Sequence, residues 1–263
     1  MQKWNKKDWL YGREYVLGTF LQLYDTAGIE VLSRAGFDFV IIDHEHGTVN
    51  METVKSLMIT ADANGIVPIV RVKQNNGPMV MEPLDIGAKG VQIPHICNSE
   101  DVKKAVSYAK YHPTGERGMN PYVRATGYDP GNFTDYMEWS NENVMLILHV
   151  EGMEGINNIH EIISESGVDI LFLGPWDLSQ SLGKPGKVED PAVIEKMKGA
   201  IESAKEKGVA IGTFADTPER ARKWIDLGVK YMSISVDTKM LLDGARAVVN
   251  EITGKGQRAE GKE

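Results

Sequence analysis

Eight short apolar runs, each followed by a stretch of helical periodicity, constrain this chain more than any other feature of its sequence. The runs cover 16–20, 37–42, 67–72, 90–93, 144–150, 170–173, 209–214 and 231–236, and they are rich in Val and Ile. Strands buried on both faces have that composition, and parallel strands must be joined by crossover helices, so the alternation predicts parallel βα units. Eight such units close a (β/α)8 barrel, and the 263 residues match the roughly 250 typical of one such domain. A single barrel is expected over 1–253. The Lys-, Gly- and Glu-rich stretch 254–263 is expected to be a disordered tail.

Helices are expected over 26–35, 51–64, 78–86, 99–111, 156–166, 191–207, 218–227 and 239–252. Ser99, with Glu100 and Asp101 behind it, has the pattern of an N-cap followed by an acidic first turn. Gly36, Gly65, Gly87, Gly167, Gly208 and Gly228 each follow a helix, where a left-handed residue is wanted. The segment 112–143, between strands four and five, is expected to be an active-site loop with a short helix.

Composition narrows the functional classes. A net charge of −8 argues against general nucleic-acid binding, which needs Lys and Arg to neutralise phosphates. No apolar stretch approaches the roughly 18 residues of a membrane span, and the polar, Trp-containing start does not have the pattern of a secretory signal. A soluble protein of the cytosol with a small-molecule partner is expected. The single cysteine, Cys97, can form neither an internal disulfide nor a thiolate metal site alone. Asn132-Phe133-Thr134 matches a glycosylation sequon, but without an export signal it carries no weight.

A barrel enzyme works at the carboxyl ends of its strands, so the polar residues there are the informative ones. Strand two ends Asp43-His44-Glu45-His46, strand three holds Arg71, strand five ends His149-Val150-Glu151, and strand six runs into Gly174-Pro175-Trp176-Asp177. Strand alternation lets His149 and Glu151 face the barrel mouth together. The carboxylates of Glu151 and Asp177, on neighbouring strands, repel at close range unless a proton or a cation lies between them. A divalent metal is the economical answer, with Mg²⁺ or Mn²⁺ favoured by oxygen ligands and Co²⁺ able to substitute. Ordinary salt bridges are the alternative for both.

Arg71 sits in an apolar run, where it needs an anion: a substrate carboxylate, or Asp43 or Glu45 in a structural bridge. His46, as an imidazole at the barrel mouth, is a candidate general base, whereas His44 is expected to point away. Lys73 could form a Schiff base but opens a polar stretch. Arg117, in Gly115-Glu116-Arg117-Gly118, is a candidate lid or substrate-orienting residue. No nucleotide-binding glycine motif is present.

At these residues the chain resembles the HpcH/HpaI family of class II, metal-dependent pyruvate aldolases. The carriers are 35–43 (AGFDFVIID) with Glu45-His46-Gly47, 84–90 (LDIGAKG), 115–118 (GERG) and 174–179 (GPWDLS), in order along nearly the whole barrel. The resemblance implies a barrel of the phosphoenolpyruvate/pyruvate type that cleaves a 4-hydroxy-2-oxo acid into pyruvate, or a related 2-oxo acid, and an aldehyde. It implies that Glu151 and Asp177 bind the metal, that Arg71 stabilises an enolate, and that His46 is the base, supported by Asp43 and Asp85. Backbone amides around Trp176 and Asp177 are implied to grip the substrate carboxylate, with Arg71, His149, Gly174, Pro175 and Trp176 lining the substrate. It further implies a homo-oligomer, hexamer or trimer, with the last helix exchanged between subunits and each pocket completed by a neighbour. Two residues depart from the family's pattern: His149 stands where Gln is usual, and Trp176 where Ala is usual. His149 is open to a role as third ligand, substrate hydrogen-bond donor or altered acid/base, and Trp176 to narrowing the pocket or stacking on the acceptor. An acyl-CoA lyase and a non-catalytic oxo-acid-binding barrel are the competing readings.

Overall fold

The strands alternate between two environments, and that alternation sets the architecture. In the computed structural model, which describes residues 4–129 and 131–254, the strands are β1 Val16–Leu21, β2 Phe39–Asp43, β3 Val67–Arg71, β4 Gly90–Ile93, β5 Met145–Val150, β6 Ile170–Leu173, β7 Ala210–Ala215 and β8 Tyr231–Val236. They pair in parallel in sequence order, and β8 returns to β1 to close the barrel. The expected (β/α)8 fold is therefore the observed one. All eight expected strands are present, with ends moved by up to two residues.

The helices are α1 Lys6–Tyr11, α2 Thr26–Ala35, α3 Met51–Asn64, α4 Gly77–Ile86, α5 Ser99–Ala109, α6 Phe133–Asn143, α7 Met153–Asn157, α8 Ile159–Ile162, α9 Pro175–Ser181, α10 Pro191–Lys207, α11 Pro218–Asp226 and α12 Asp237–Thr253. The six glycines expected after helices all have positive φ. The cap of α5 is Asn98 rather than Ser99, because the Asn98 side chain accepts from the Asp101 amide. The single helix expected over 156–166 is two short ones, broken at Asn158, whose side chain donates to the Cys97 carbonyl. No described helix is long and apolar enough to cross a membrane. The tail expected over 254–263 lies outside the described residues apart from Gly254.

Val40, Ile42, Leu146, Leu148, Leu171 and Leu173 face the helices, whereas Phe39, Ile41, Ile69, Met145, Ile147, Ile170 and Phe172 fill the barrel interior. Phe39 stacks on Tyr231 with ring centroids 4.0 Å apart. Gly18 makes room for it, since a Cβ there would lie 2.2 Å from the Phe39 ring. Continuing the inward rows toward the carboxyl end, the next positions are Asp43, Arg71, Gln92 and His149. Register pairs Asp43 with Arg71 and Arg71 with Gln92. The interior is thus apolar at its floor and polar at its mouth.

The start of the chain supplies that floor. Leu10 of α1 is buried in the interior cluster, and Trp9 meets Phe39 edge-on at 5.9 Å. Trp4 and Trp139 tie α1 to α6: the Trp4 indole donates to Asn143 O, and the Trp139 indole to Trp4 O.

The segment 112–143 belongs to this same amino-terminal end, contrary to the expectation of an active-site loop. It follows α5 and feeds the start of β5, so chain direction places it opposite the strand carboxyl ends. Arg124 in it binds Ile86 O and Asp62, at the far ends of α4 and α3. Its last third is the 11-residue α6, capped by the Asn132 side chain, which is the structural use of that Asn. Truncating Leu10 to Ala should cost about 2–5 kcal/mol, the usual range for a buried Leu. Denaturant unfolding checks this, and an unchanged midpoint would show that α1 does not seal the floor.

Candidate active site

The turn after β2 builds one wall of the barrel mouth. Asp43 is fully buried, and its Oδ1 accepts from the main-chain N–H groups of Glu45 and His46 at 3.1 and 3.3 Å. Tyr24 donates its hydroxyl to Asp43 O at 2.8 Å, and a Cβ on Gly47 would lie 1.4 Å from that hydroxyl oxygen. Only glycine at 47 leaves room for this turn, which presents the His46 ring to the cavity with its side chain 65% exposed.

Across the barrel seam, Arg71 donates Nε and Nη2 to the two oxygens of Asp43 at 2.9 and 2.8 Å. Its Nη1 lies 3.1 Å from Glu45 Oε2, and the guanidinium sits 4.6 Å above the Phe20 ring. The structural bridge allowed for by the sequence is present, yet Arg71 also lines the cavity, with N–H groups to spare. Burial raises the Asp43 carboxyl, but the Arg71 fork and the Gln22 amide outweigh it and hold Asp43 below the ordinary carboxylate range. Glu45 goes the other way, because burial, aided by the charge on Glu151, outweighs Arg71.

Glu151 is buried, and its Oε1 accepts the His95 main-chain N–H at 3.0 Å. Burial opposes its ionisation, but His149, together with the His95 amide and ring, outweighs that and holds it at about 2. The His95 ring bridges two acids, with Nδ1 3.1 Å from Glu151 and Nε2 3.3 Å from Glu45. Ligand atoms of Glu45, His95 and Glu151 lie within 4.8 Å of one another. Two carboxylates and an imidazole at that spacing fit a divalent cation. Asp177 is exposed on the first turn of α9 and faces the same cavity without joining that tight group.

One cavity of about 550 Å³ is lined by His46, Arg71, His149, Glu151, Gly174, Pro175, Trp176 and Asp177, with Gln22, Phe20, Phe172 and Phe214 among its other walls. It gathers residues from seven strand ends or the turns after them. Asp85 is not among them. At the amino-terminal end of the barrel, near the end of α4, it accepts from Arg117 Nη2 at 2.6 Å. Arg117 itself is buried there, with its guanidinium 4.7 Å from the Tyr111 ring centroid, so it is no lid. Within one chain Asp85 therefore cannot support His46. Lys73 is exposed and does not line the cavity, and half-buried His44 also lies outside it.

Residues 17–244 match the family model described as HpcH/HpaI aldolase/citrate lyase. The 2-dehydro-3,6-dideoxy-6-sulfogluconate aldolase of Pseudomonas putida is 32% identical over 239 residues, covering 91% of this chain and 93% of that protein. The 4-hydroxy-2-oxo-heptane-1,7-dioate aldolase of Klebsiella pneumoniae is 30% identical over 248 residues, covering 94% and 93%. The crystal structure of the citrate synthase SbnG matches with a TM-score of 0.84 and 32% identity, covering 93% of this chain and 95% of that one. The chain belongs to the HpcH/HpaI aldolase/citrate lyase family and is an enzyme of that lyase class.

His95 is the site residue that sequence reading missed, although the rule applied to the other strands points to it, two residues beyond the end of β4. Its backbone is left-handed, with φ 58°, which turns the ring back toward Glu151.

Asp43→Asn, which leaves the buried guanidinium short of its main counter-charge, should cost about 3–5 kcal/mol in urea unfolding. Because Asp43 and Glu151 both have folded pKa values below ordinary ones, their contribution is full above the ordinary carboxylate range. It is lost as pH falls through the folded values, from near 4.5 toward 2 for Glu151. The acid limb of a stability profile should flatten in Asp43→Asn, and an unchanged limb would remove Asp43 as a source of acid sensitivity.

Proposed function

We propose that the protein is a metal-dependent aldolase that cleaves a 4-hydroxy-2-oxo acid to pyruvate, or a related 2-oxo acid, and an aldehyde. The observation that carries this reading is the convergence of His46, Arg71, Glu151 and Asp177 on one cavity at the carboxyl end of the barrel. Both named aldolase relatives act, by their names, on acids of the required kind, with an oxo group at carbon 2 and a chain extending beyond it.

Glu151 and Asp177 would hold a divalent ion, with Glu45 and His95, whose ligand atoms already lie within 4.8 Å of Glu151, near enough to contribute; Mg²⁺ or Mn²⁺ is favoured and Co²⁺ able to substitute. Such an ion supplies Lewis acidity to a 2-oxo acid oxygen. The protein's own groups do the rest. In the cleavage direction His46 takes the proton of the 4-hydroxyl as the C3–C4 bond breaks. The electron pair leaves on the pyruvyl fragment as an enolate, whose oxygen receives the remaining N–H groups of Arg71, and a proton then returns to C3. Asp43 holds Arg71 and the His46 turn in place. The N–H groups of Trp176 and Asp177, in the first turn of α9 and so without intrahelical partners, are the proposed cradle for the substrate carboxylate. Phe20, Phe214 and Trp176 give the rest of the cavity an aromatic wall for the aldehyde portion.

Assembly into a homo-oligomer is part of the proposal. Leu241, Leu242, Val248, Val249 and Ile252 of α12 are exposed on the single chain, an apolar face of the sort that subunit contacts cover. Asp85 could serve the site only from a neighbouring subunit. Light scattering on the purified protein should give a trimer or hexamer, and a monomer would remove this element.

The activity test is proton NMR of pyruvate in D2O. Enzyme-dependent loss of the methyl signal with Mg²⁺ or Mn²⁺ (removed before acquisition), abolished by excess EDTA, is the expected result. His46→Ala should slow exchange by about 10²–10⁴-fold while sparing metal binding. Exchange that survived EDTA would overturn the metal requirement, and no exchange under any condition would favour the non-catalytic barrel.

A further inference from the structure

Below the cavity, the barrel interior contains a line of polar contacts that the proposed chemistry does not use. Tyr231 of β8, Gln92 of β4 and His149 of β5 are each at most 1% exposed. The Tyr231 hydroxyl lies 3.5 Å from Gln92 Oε1, and Gln92 Nε2 lies 2.7 Å from His149 Nε2. The other ring nitrogen, Nδ1, is buried with no hydrogen-bond partner within ordinary geometry among the described residues, and it lies 3.5 Å from Glu151 Oε2. The ring cannot swing away, because it lies flat on Phe172 with centroids 4.3 Å apart and planes 14° from parallel.

Which nitrogen carries the proton follows from what faces each one. With the proton on Nε2, the Nδ1 lone pair would face the Glu151 carboxylate, a repulsive contact that also leaves a buried acceptor without a donor. With the proton on Nδ1, every group meets a partner of the right kind. Nδ1–H points at Glu151, the Nε2 lone pair accepts from the Gln92 amide N–H, and the freed Gln92 carbonyl oxygen receives the Tyr231 O–H. Tyr231 can stay a donor, because burial pushes its hydroxyl pKa well above the ordinary value.

We infer that His149 is a positioning residue, its imidazole locked by Gln92 and Tyr231 in the Nδ1–H form, which holds Oε2 of Glu151 while the His95 main-chain N–H holds Oε1. Both oxygens of the carboxylate are then aimed before cation or substrate arrives. Outer partners of this sort fix ligand orientation and typically change metal affinity by about 10–100-fold when removed. The effect on a cation rests on the reading of Glu151 as a metal carboxylate, whereas the proton position does not.

Two measurements test it. In the first, ¹⁵N-histidine-labelled protein with excess EDTA gives the imidazole ¹⁵N shifts of His149, assigned by their loss in His149→Gln. A protonated Nδ1 and an unprotonated Nε2 are expected, with that pattern lost in Gln92→Leu. A proton on Nε2, a doubly protonated ring, a tautomeric average or an unchanged pattern in Gln92→Leu would overturn the lock. This readout on the wild-type protein does not depend on any variant's remaining metal-competent.

In the second, Mn²⁺ binding is followed by the EPR signal of the free ion. His149→Leu should weaken binding by about 10–100-fold, and His149→Gln, which keeps an N–H donor, should restore most of it. Wild-type binding that Glu151→Gln weakens but His149→Leu leaves unchanged would overturn the positioning role alone. Absent binding, or binding indifferent to Glu151→Gln, would remove both the metal reading and the effect on a cation, with the tautomer decided by the first measurement. Circular dichroism of each variant separates loss of fold from loss of affinity.

Discussion

A guanidinium buried at the mouth of a barrel has to be neutralised, and the way Arg71 is neutralised organises everything around it. Its fork grips both oxygens of Asp43 on the neighbouring strand. The same carboxylate then has lone pairs left for two main-chain N–H groups of the next turn. One pair of side chains thus joins β2 to β3, shapes the turn that displays His46, and leaves part of the guanidinium facing the cavity. A lysine at 71 could supply charge but not the planar two-pronged grip, so the turn and the cavity would lose their common anchor.

The interior is layered by chemistry as much as by size. Aromatic and aliphatic residues occupy the floor, where α1 closes the amino-terminal end, and the inward rows become polar within one or two further residues. The polar layer is expensive to bury except where each group meets a partner, and nearly every group there does. The exceptions are Ser233 Oγ, buried without a partner in the inward row of β8, and the spare N–H groups of Arg71, which sit against the cavity. The spare N–H groups of Arg71 are thus left to whatever enters the cavity.

The fold was legible because short apolar runs followed by helical periodicity, and helix-ending glycines, are local signals. The rim residues His46, Arg71, His149, Glu151 and Gly174 to Asp177 were legible because strand ends are easy to find in a regular alternation, and the structure brings them to one cavity. What was not legible depended on which end of the barrel a segment occupies. Asp85 and Arg117 are near neighbours in the motifs that carry the resemblance, yet they meet each other at the amino-terminal end rather than meeting His46. The segment 112–143 was assigned to the mouth although it follows a helix, and order along the chain alone would have corrected that. His95 was hidden because its part depends on a left-handed backbone that brings it between Glu45 and Glu151. The strand-end rule reaches His95, but no pattern of residue types announces that its backbone turns the ring back between the two acids.

The helix that seals the floor has a consequence for how the chain reaches its native state. Leu10 and Trp9 pack into a cluster that includes Phe39 of the second strand and Tyr231 of the eighth. Residues made early therefore have no complete binding surface until residues more than two hundred positions later have been made and have closed the ring. Contacts that span so much of the sequence form slowly, because loop closure precedes the gain from burial. The first helix and the last strand thus share one buried cluster, so a change in either is felt by the other.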